Sequence, residues 1–377
     1  MSRSDETPAT MTPDPALEGL RTLAVYLPQF HPVPENDAWW GAGFTEWTNV
    51  ARATPLYPGH YQPHVPADLG FYDLRLPETR QAQATMAAQY GISGFCYYHY
   101  WFEGRRLLER PFAEVLRSGS PDFPFCLCWA NETWSRRWLG EERDILMEQT
   151  YSEADHAAHA EWLAEAFADP RYIRVAGRPL FLVYRPMHIP EPRRAIDIMR
   201  ERVVRAGVPE PFFAGVDGHS AGTDFREHGY DGTVNFAPQL GVLRGAYRGD
   251  GPNLRRLGYN LLHNRRLNAD LKLFKYEDLQ GPARRSRPDF PHFPMVAVSW
   301  DNSPRRGRNG IIVESPTPEQ FGAAVREAAK VAAKAAPGEQ ILFVNAWNEW
   351  AEGNHLEPDL RHGHAYLQAL QAALSAR

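Results

Sequence analysis

The chain has little cysteine, no excess of basic charge and no long apolar run near its start. Three of its 377 residues are cysteine, Cys96, Cys126 and Cys128. An odd number without framework spacing argues against a disulfide-stapled scaffold and for reduced thiols. All three fall in expected buried strands. Cys126 and Cys128, two apart, should share one side of theirs, where packing is favoured over metal because no Cys-x-x-Cys or His pair accompanies them. With 41 Lys and Arg against 46 Asp and Glu, the formal charge of -5 leaves no footprint for nucleic acid and no polybasic surface for a membrane. The arginines near Arg305, Arg306 and Arg308 are a local cluster. The first twenty residues carry Asp5, Glu6, Asp14 and several prolines and lack the apolar stretch of a signal peptide or membrane helix. A cytoplasmic protein with no integral membrane segment is expected. Motifs are missing too: no Gly-x-Gly-x-x-Gly at the first strand-helix turn, no Walker A sequence, and no Asp-x-Asp to carry a metal and a diphosphate. Only His31 follows the first strand, where a barrel metallohydrolase would want paired ligands. No metal and no cofactor are expected.

Short apolar runs are abundant. Eight of them end in polar or aromatic residues: Thr22 to Leu27, Ile92 to Tyr97, Phe123 to Trp129, Leu180 to Tyr184, Phe212 to Val216, Gly232 to Phe236, Met295 to Trp300 and Ile341 to Trp347. Helical patterns rich in alanine, glutamate and arginine lie between them, clearest at Pro77 to Tyr90, Ser152 to Ala168, Glu191 to Ala206 and Thr317 to Ala336. This alternation predicts an α/β fold, a (β/α)8 TIM barrel over residues 20–377 as a single domain, behind a disordered lead-in of residues 1–19. A doubly wound open sheet is the alternative. Two insertions stand out. Pro28 to Leu76, after strand 1, carries Gln29, His31, Trp39, Trp40, Glu46, Trp47, Asn49 and His64, and is too long for a plain connector. Leu240 to Pro291, between strands 6 and 7, is arginine-rich and is expected to hold a short helix around Tyr259 to Asn264.

A barrel of this kind carries its chemistry at the carboxyl ends of its strands. Ten of the eleven tryptophans map to that end: Trp39, Trp40, Trp47, Trp101, Trp129, Trp134, Trp138, Trp300, Trp347 and Trp350, with Trp162 alone on a helix. Such a rim offers flat apolar platforms on which sugar rings stack, although several of these indoles could equally pin long loops. The last run breaks into Trp347, Asn348, Glu349, Trp350 and Glu352 before Gly353. Two carboxylates three residues apart, fenced by indoles, are costly to desolvate at a strand end. Glycosidic cleavage uses such a pair, one to protonate the leaving oxygen and one as nucleophile or base. Glu349 and Glu352 are the expected catalytic residues. His31, His99 and Asp301 each follow a strand and could orient substrate hydroxyls or tune a glutamate.

Seven motifs in order carry a family resemblance: Ala24-Val-Tyr-Leu-Pro-Gln-Phe-His31, Trp40-Gly-Ala-Gly-Phe-Thr-Glu-Trp-Thr-Asn-Val50, His60-Tyr-Gln-Pro63, Tyr98-His-Tyr-Trp-Phe102, Trp129-Ala-Asn-Glu132, Trp300-Asp-Asn-Ser-Pro-Arg305 and Trp347-Asn-Glu-Trp-Ala-Glu-Gly353. Together they resemble the WbsX family, known as glycosyltransferases of bacterial O-antigen and other surface-polysaccharide clusters and similar in fold to the family 99 endo-α-mannosidases. The resemblance implies metal-free retention through a 1,2-anhydro sugar. Glu349 would deprotonate the sugar 2-hydroxyl, and Glu352 would act as general acid and then base. Substrate contacts would come from Gln29, His31, Trp40, Glu46, Trp47, Tyr98, His99, Trp101, Trp129, Asn131, Glu132, Trp300, Asp301, Trp347, Asn348 and Trp350. The expected partner is an oligosaccharide or polysaccharide, with peripheral association to polysaccharide assembly machinery. Transfer and endo-acting hydrolysis both fit. A non-catalytic carbohydrate-binding protein on the same barrel is the alternative of a different class.

Overall fold

Strands buried on both faces need continuous apolar sequence rather than alternation, and the eight runs supply it. The computed structural model describes residues 14–136, 141–218, 222–239, 243, 271–279, 288–314 and 316–376. In it the runs become β1 (Arg21–Tyr26), β2 (Gly94–Phe102), β3 (Phe125–Trp129), β4 (Arg178–Val183), β5 (Phe212–Asp217), β6 (Gly232–Asn235), β7 (His292–Ala297) and β8 (Ile341–Asn345). Each pairs in parallel with the next, and β1 pairs with both β2 and β8, which closes the barrel. Ala24 sits in register with Phe95 on one side and Val344 on the other. Every residue of β3, β5 and β8 is buried.

Two strands end three or more residues away from the sequence reading. β2 runs on to Phe102 because its end is taken up by an antiparallel pairing with Arg105–Leu107. β7 stops at Ala297, not Trp300: Val298 N is shared between Asn345 O at 2.9 Å and the Asn354 side-chain oxygen at 3.1 Å, and Ser299 N leaves the ladder for that same oxygen at 3.3 Å.

Among the described residues the helices are α1 (Pro34–Trp40), α2 (Glu46–Arg52), α3 (Pro77–Gln89), α4 (Arg110–Ser118), α5 (Glu153–Phe167), α6 (Pro192–Arg205), α7 (Tyr276–Leu279), α8 (Ser303–Arg306), α9 (Pro318–Ala332) and α10 (Ala365–Leu374). Their starts follow from capping chemistry. The Ser152 hydroxyl accepts from Asp155 N at the head of α5, and Thr317 with Gln320 closes a capping box on α9. No described helix is long and apolar enough to cross a membrane.

The insertion after β1 contains α1 and α2. In the second insertion Lys272–Phe274 pairs in parallel with Ile311–Val313 and leads into α7. The short helix expected around Tyr259 to Asn264 lies outside the described residues. An unanticipated hairpin, Trp134–Arg136 with Glu141–Met147, follows β3. Residues 14–19 depart from the expected lead-in: Pro15–Leu17 is a turn of 3-10 helix, and Leu17 and Leu20 pack on the main core. Two apolar anchors suffice to dock it. The three thiols are buried and unbridged, and Cys96 lies against Cys126 and Cys128.

Candidate active site

The turn after β8 is built to hold carboxylates still. Trp347 N donates to Val25 O at 2.7 Å, and the Asn348 side chain clasps the Leu27 peptide from both sides, accepting from its N–H at 2.7 Å and donating to its C=O at 3.0 Å. Asn348–Glu349 then pairs antiparallel with Asn354–His355 around one turn of 3-10 helix, Trp350–Glu352. Gly353 closes that turn at φ 57°, and a β-carbon there would lie 3.0 Å from Cβ of Asp301. The position therefore demands glycine on both conformational and steric grounds. Below the turn Glu357 accepts from Gln83 Nε2 at 2.7 Å, the Tyr72 hydroxyl at 2.8 Å and Trp350 Nε1 at 2.6 Å. Burial pushes its carboxyl up to about 7 despite those donors.

Glu349 and Glu352 converge on one guanidinium. Arg305, on α8, places Nη1 2.7 Å from Glu352 and Nη2 3.2 Å from Glu349, while the same Nη2 lies 2.9 Å from Glu46. All four side chains are largely or wholly buried. Burial alone would lower the arginine, but the three carboxylates hold it well above its usual range. For the acids the balance reverses. Burial and then the charge of Glu352 push Glu349 up to about 8, with Arg305 opposing, and burial also raises Glu352. One cation cannot neutralise three buried carboxylates, so a proton joins the set near neutral pH and titrates with the pair.

These groups face a cavity of about 290 Å³ at the carboxyl end of the barrel. Of the residues expected to contact substrate, Gln29, Trp40, Tyr98, Glu132 and Trp300 line it beside Glu349 and Glu352. Burial, then Tyr184 and Glu349, holds the Tyr98 phenol well above its usual range, so it stays an O–H donor. Glu132 pairs with Arg185 at 2.7 Å.

The remaining expected contacts do not line the cavity. Along β2 alternate side chains point to opposite sides. Tyr98 and Tyr100 face the cavity, whereas His99 and Trp101 pack on α5. There His99 stacks on Trp162 at 4.7 Å, Trp101 stacks on His159 at 4.5 Å, and Trp101 Nε1 donates to Asp155 at 2.9 Å. Trp129 joins them, fully buried, edge-on to His159 at 4.8 Å. Trp347 is buried against Phe95. Trp350 stacks on His355, and Trp47 is wedged among Phe30, Phe71, Tyr72 and Trp350 with its N–H on Tyr72 O.

The polar residues among them are likewise engaged in holding loops. Asn131 binds the Arg185 peptide through both its amide groups, and Asn348 binds that of Leu27. Glu46 acts through Arg305. Asp301 accepts from Gln62 at 2.6 Å and lies 2.7 Å from His60 Nε2, which carries the hydrogen because Nδ1 accepts from Leu56 N. Asp301 N donates to Glu352 O, also at 2.6 Å. His31 is buried away from the cavity, and that burial lowers it to about 4. Trp138 lies outside the described residues.

Comparison with known proteins meets this geometry at the level of family. Residues 22–370 match the family model for glycosyltransferase WbsX, almost the whole chain. The chain belongs to the WbsX glycosyltransferase family. Two relatives, both named uncharacterized protein WxcX and from two strains of Xanthomonas campestris pv. campestris, are 42% identical over 357 residues. That match takes in 94% of this chain and 49% of each relative, so the chain spans about half the length of the curated relatives it matches. In structure it is similar to the family 99 endo-α-mannosidase from Bacteroides thetaiotaomicron, with a TM-score of 0.56, 15% identity, and coverage of 94% of this chain and 96% of that one. A glycoside hydrolase-like protein aligns with a TM-score of 0.58 at 14% identity over 98% of both chains. At these identities the likeness is one of fold.

Sequence reasoning passed over Arg305, Tyr100, Tyr184 and Glu357. A counter-charge was the available signal, since buried acids need one and Arg305 closes the Trp300 motif. It also took a Gly-x-Ser-x-Gly nucleophile elbow to be absent, whereas Gly218-His-Ser-Ala-Gly222 follows β5 with that spacing. Residues 219–221 lie outside the described residues. The chain after Gly222 goes to a short 3-10 turn, Arg226–His228, rather than to the helix that an elbow requires.

Proposed function

We propose that the chain is a carbohydrate-active enzyme that makes or breaks a glycosidic bond in a bacterial surface polysaccharide, with Glu349 and Glu352 as the reacting pair. The observation that carries this reading is the convergence of two buried carboxylates on Arg305 at the mouth of the barrel, with a proton to share and a cavity in front of them. The family supports it independently.

In the first step the protonated carboxyl delivers its proton to the glycosidic oxygen as the C1–O bond breaks. The ionised partner takes the proton of the sugar 2-hydroxyl, whose oxygen closes on C1 to give the 1,2-anhydro sugar. Water or an acceptor hydroxyl then opens that ring, giving its own proton back to the carboxylate that acted as acid while the other returns the 2-hydroxyl proton. Hydrolysis and transfer share this chemistry and differ in which nucleophile the cavity admits.

The family resemblance gives Glu352 the acid role. The geometry favours the reverse: Arg305 lies 2.7 Å from Glu352 and 3.2 Å from Glu349, so the closer cation holds Glu352 ionised as the base and leaves the shared proton to Glu349. Glycosides with an activated aryl leaving group separate the two assignments, because only a variant lacking the acid is rescued by them. Rescue of Glu349→Gln follows from the Arg305 geometry, and rescue of Glu352→Gln from the resemblance. The reading as a whole is tested by mass spectrometry of the wild-type chain against oligosaccharides, with and without nucleotide-sugar donors. A changed glycan is expected. Binding without any turnover would leave the carbohydrate-binding alternative standing in its place.

A further inference from the structure

A second cavity, of about 360 Å³, shares no lining residue with the first. Four histidines line it, His60, His64, His355 and His362, together with Asp359. Ligand atoms of His64, His355 and Asp359 lie within 4.8 Å of one another. We propose that these three residues bind a divalent first-row transition ion of the zinc type.

The orientation of each group argues for a built site. His355 Nδ1 lies 2.8 Å from the Glu357 carbonyl, which can only accept, so Nδ1 carries the hydrogen and Nε2 presents its lone pair. That is the arrangement by which an outer carbonyl fixes a ligating histidine. The ring is further held by Trp350, stacked at 3.7 Å, and the His64 ring by Tyr61 at 4.2 Å. His64 Nδ1 sits 2.8 Å from His355 Nε2. Two lone pairs this close require something between them, either a proton or a cation. One oxygen of Asp359 is occupied by the backbone N–H groups of Arg361 and His362 at 2.9 and 2.6 Å, while the other lies 4.0 Å from His355 Nε2.

Two imidazoles and one carboxylate suit zinc, iron or manganese better than calcium or magnesium, which prefer all-oxygen sets. The cavity leaves further coordination positions for water or a ligand atom. Bonds of about 2.0–2.1 Å from each nitrogen need the two rings to part slightly. Such an ion would tie His64, in the insertion after β1, to the segment after β8. Those two segments also carry Glu46 and the Glu349–Glu352 turn, so the ion braces the wall of the first cavity without entering its chemistry.

The test uses the full chain without a histidine tag, stripped with EDTA and titrated calorimetrically with zinc, manganese and calcium chlorides. One equivalent of zinc or manganese with a raised melting temperature is expected, and no such response to calcium. His64→Ala should weaken that binding by at least about tenfold and abolish the thermal response, while its metal-free melting temperature stays close to wild type. His228→Ala, at a 3-10 turn away from this cavity, should bind as wild type. A wild-type chain without a stoichiometric site, or a His64→Ala chain that binds as tightly, overturns the proposal.

Discussion

The two sides of β2 are made of the same kinds of residue and do different work. Tyr98 and Tyr100 look into the cavity of Glu349, while His99 and Trp101, one position along, are packed with His159 and Trp162 behind the barrel wall. The outer set is locked by stacked rings and a hydrogen bond to Asp155. The inner set borders three carboxylates and one guanidinium, a group that gains little from folding and is held by the turns around it. Stability is concentrated on one face of the wall and reactivity on the other, with a single strand supplying both.

Arg305→Leu should break the comparison most severely. It leaves three buried carboxylates without their cation, which costs about 3–5 kcal/mol in urea unfolding, and turnover should become undetectable. Trp129→Ala tests the outer face: stability should drop by about 3–5 kcal/mol, while turnover per folded molecule stays within roughly twofold of wild type, because the indole touches no cavity residue's working end. A large loss of turnover with unchanged stability would erase the division.

Glu349→Gln sharpens it through pH. The folded carboxyl titrates near 8 against about 4.3 in the unfolded chain. The folded chain therefore binds more protons between those values, and its stability falls as pH rises across that window. Glutamine removes this slope, so the variant should melt higher than wild type at pH 8 and no differently at pH 4. Thermal scans at the two pH values decide it. Smallest is Tyr98→Phe, expected to change stability by less than about 1 kcal/mol and to lower kcat/KM by roughly tenfold through loss of one hydroxyl donor to the substrate beside Glu349.

The barrel was legible because two-sided burial writes itself into each strand as an unbroken apolar run. What the runs do not encode is parity. In Tyr98-His-Tyr-Trp101 every position is aromatic, so nothing local says which pair turns inward, and His99 and Trp101 were expected at the substrate. The tryptophans mislead for a related reason. Large rings gather at the loop end both to bind sugars and to pin long loops, and Trp47, Trp129, Trp347 and Trp350 do the second. Glu349 and Glu352 could be singled out because an acid at the end of a core strand is conspicuous. Arg305 was harder to single out: buried acids call for a counter-charge, but its partners come from α2 and from the turn after β8, so only that need and its place at the end of the Trp300 motif point to it.

The most direct measurement compares affinity and turnover for Glu349→Gln, Glu352→Gln and wild type on one glycan that the wild type converts. Both variants should keep its affinity within a few-fold and lose at least about a hundredfold in turnover. Two variants that convert the glycan at the wild-type rate would remove the carboxylate pair from the chemistry and leave the cavity without its proposed reaction.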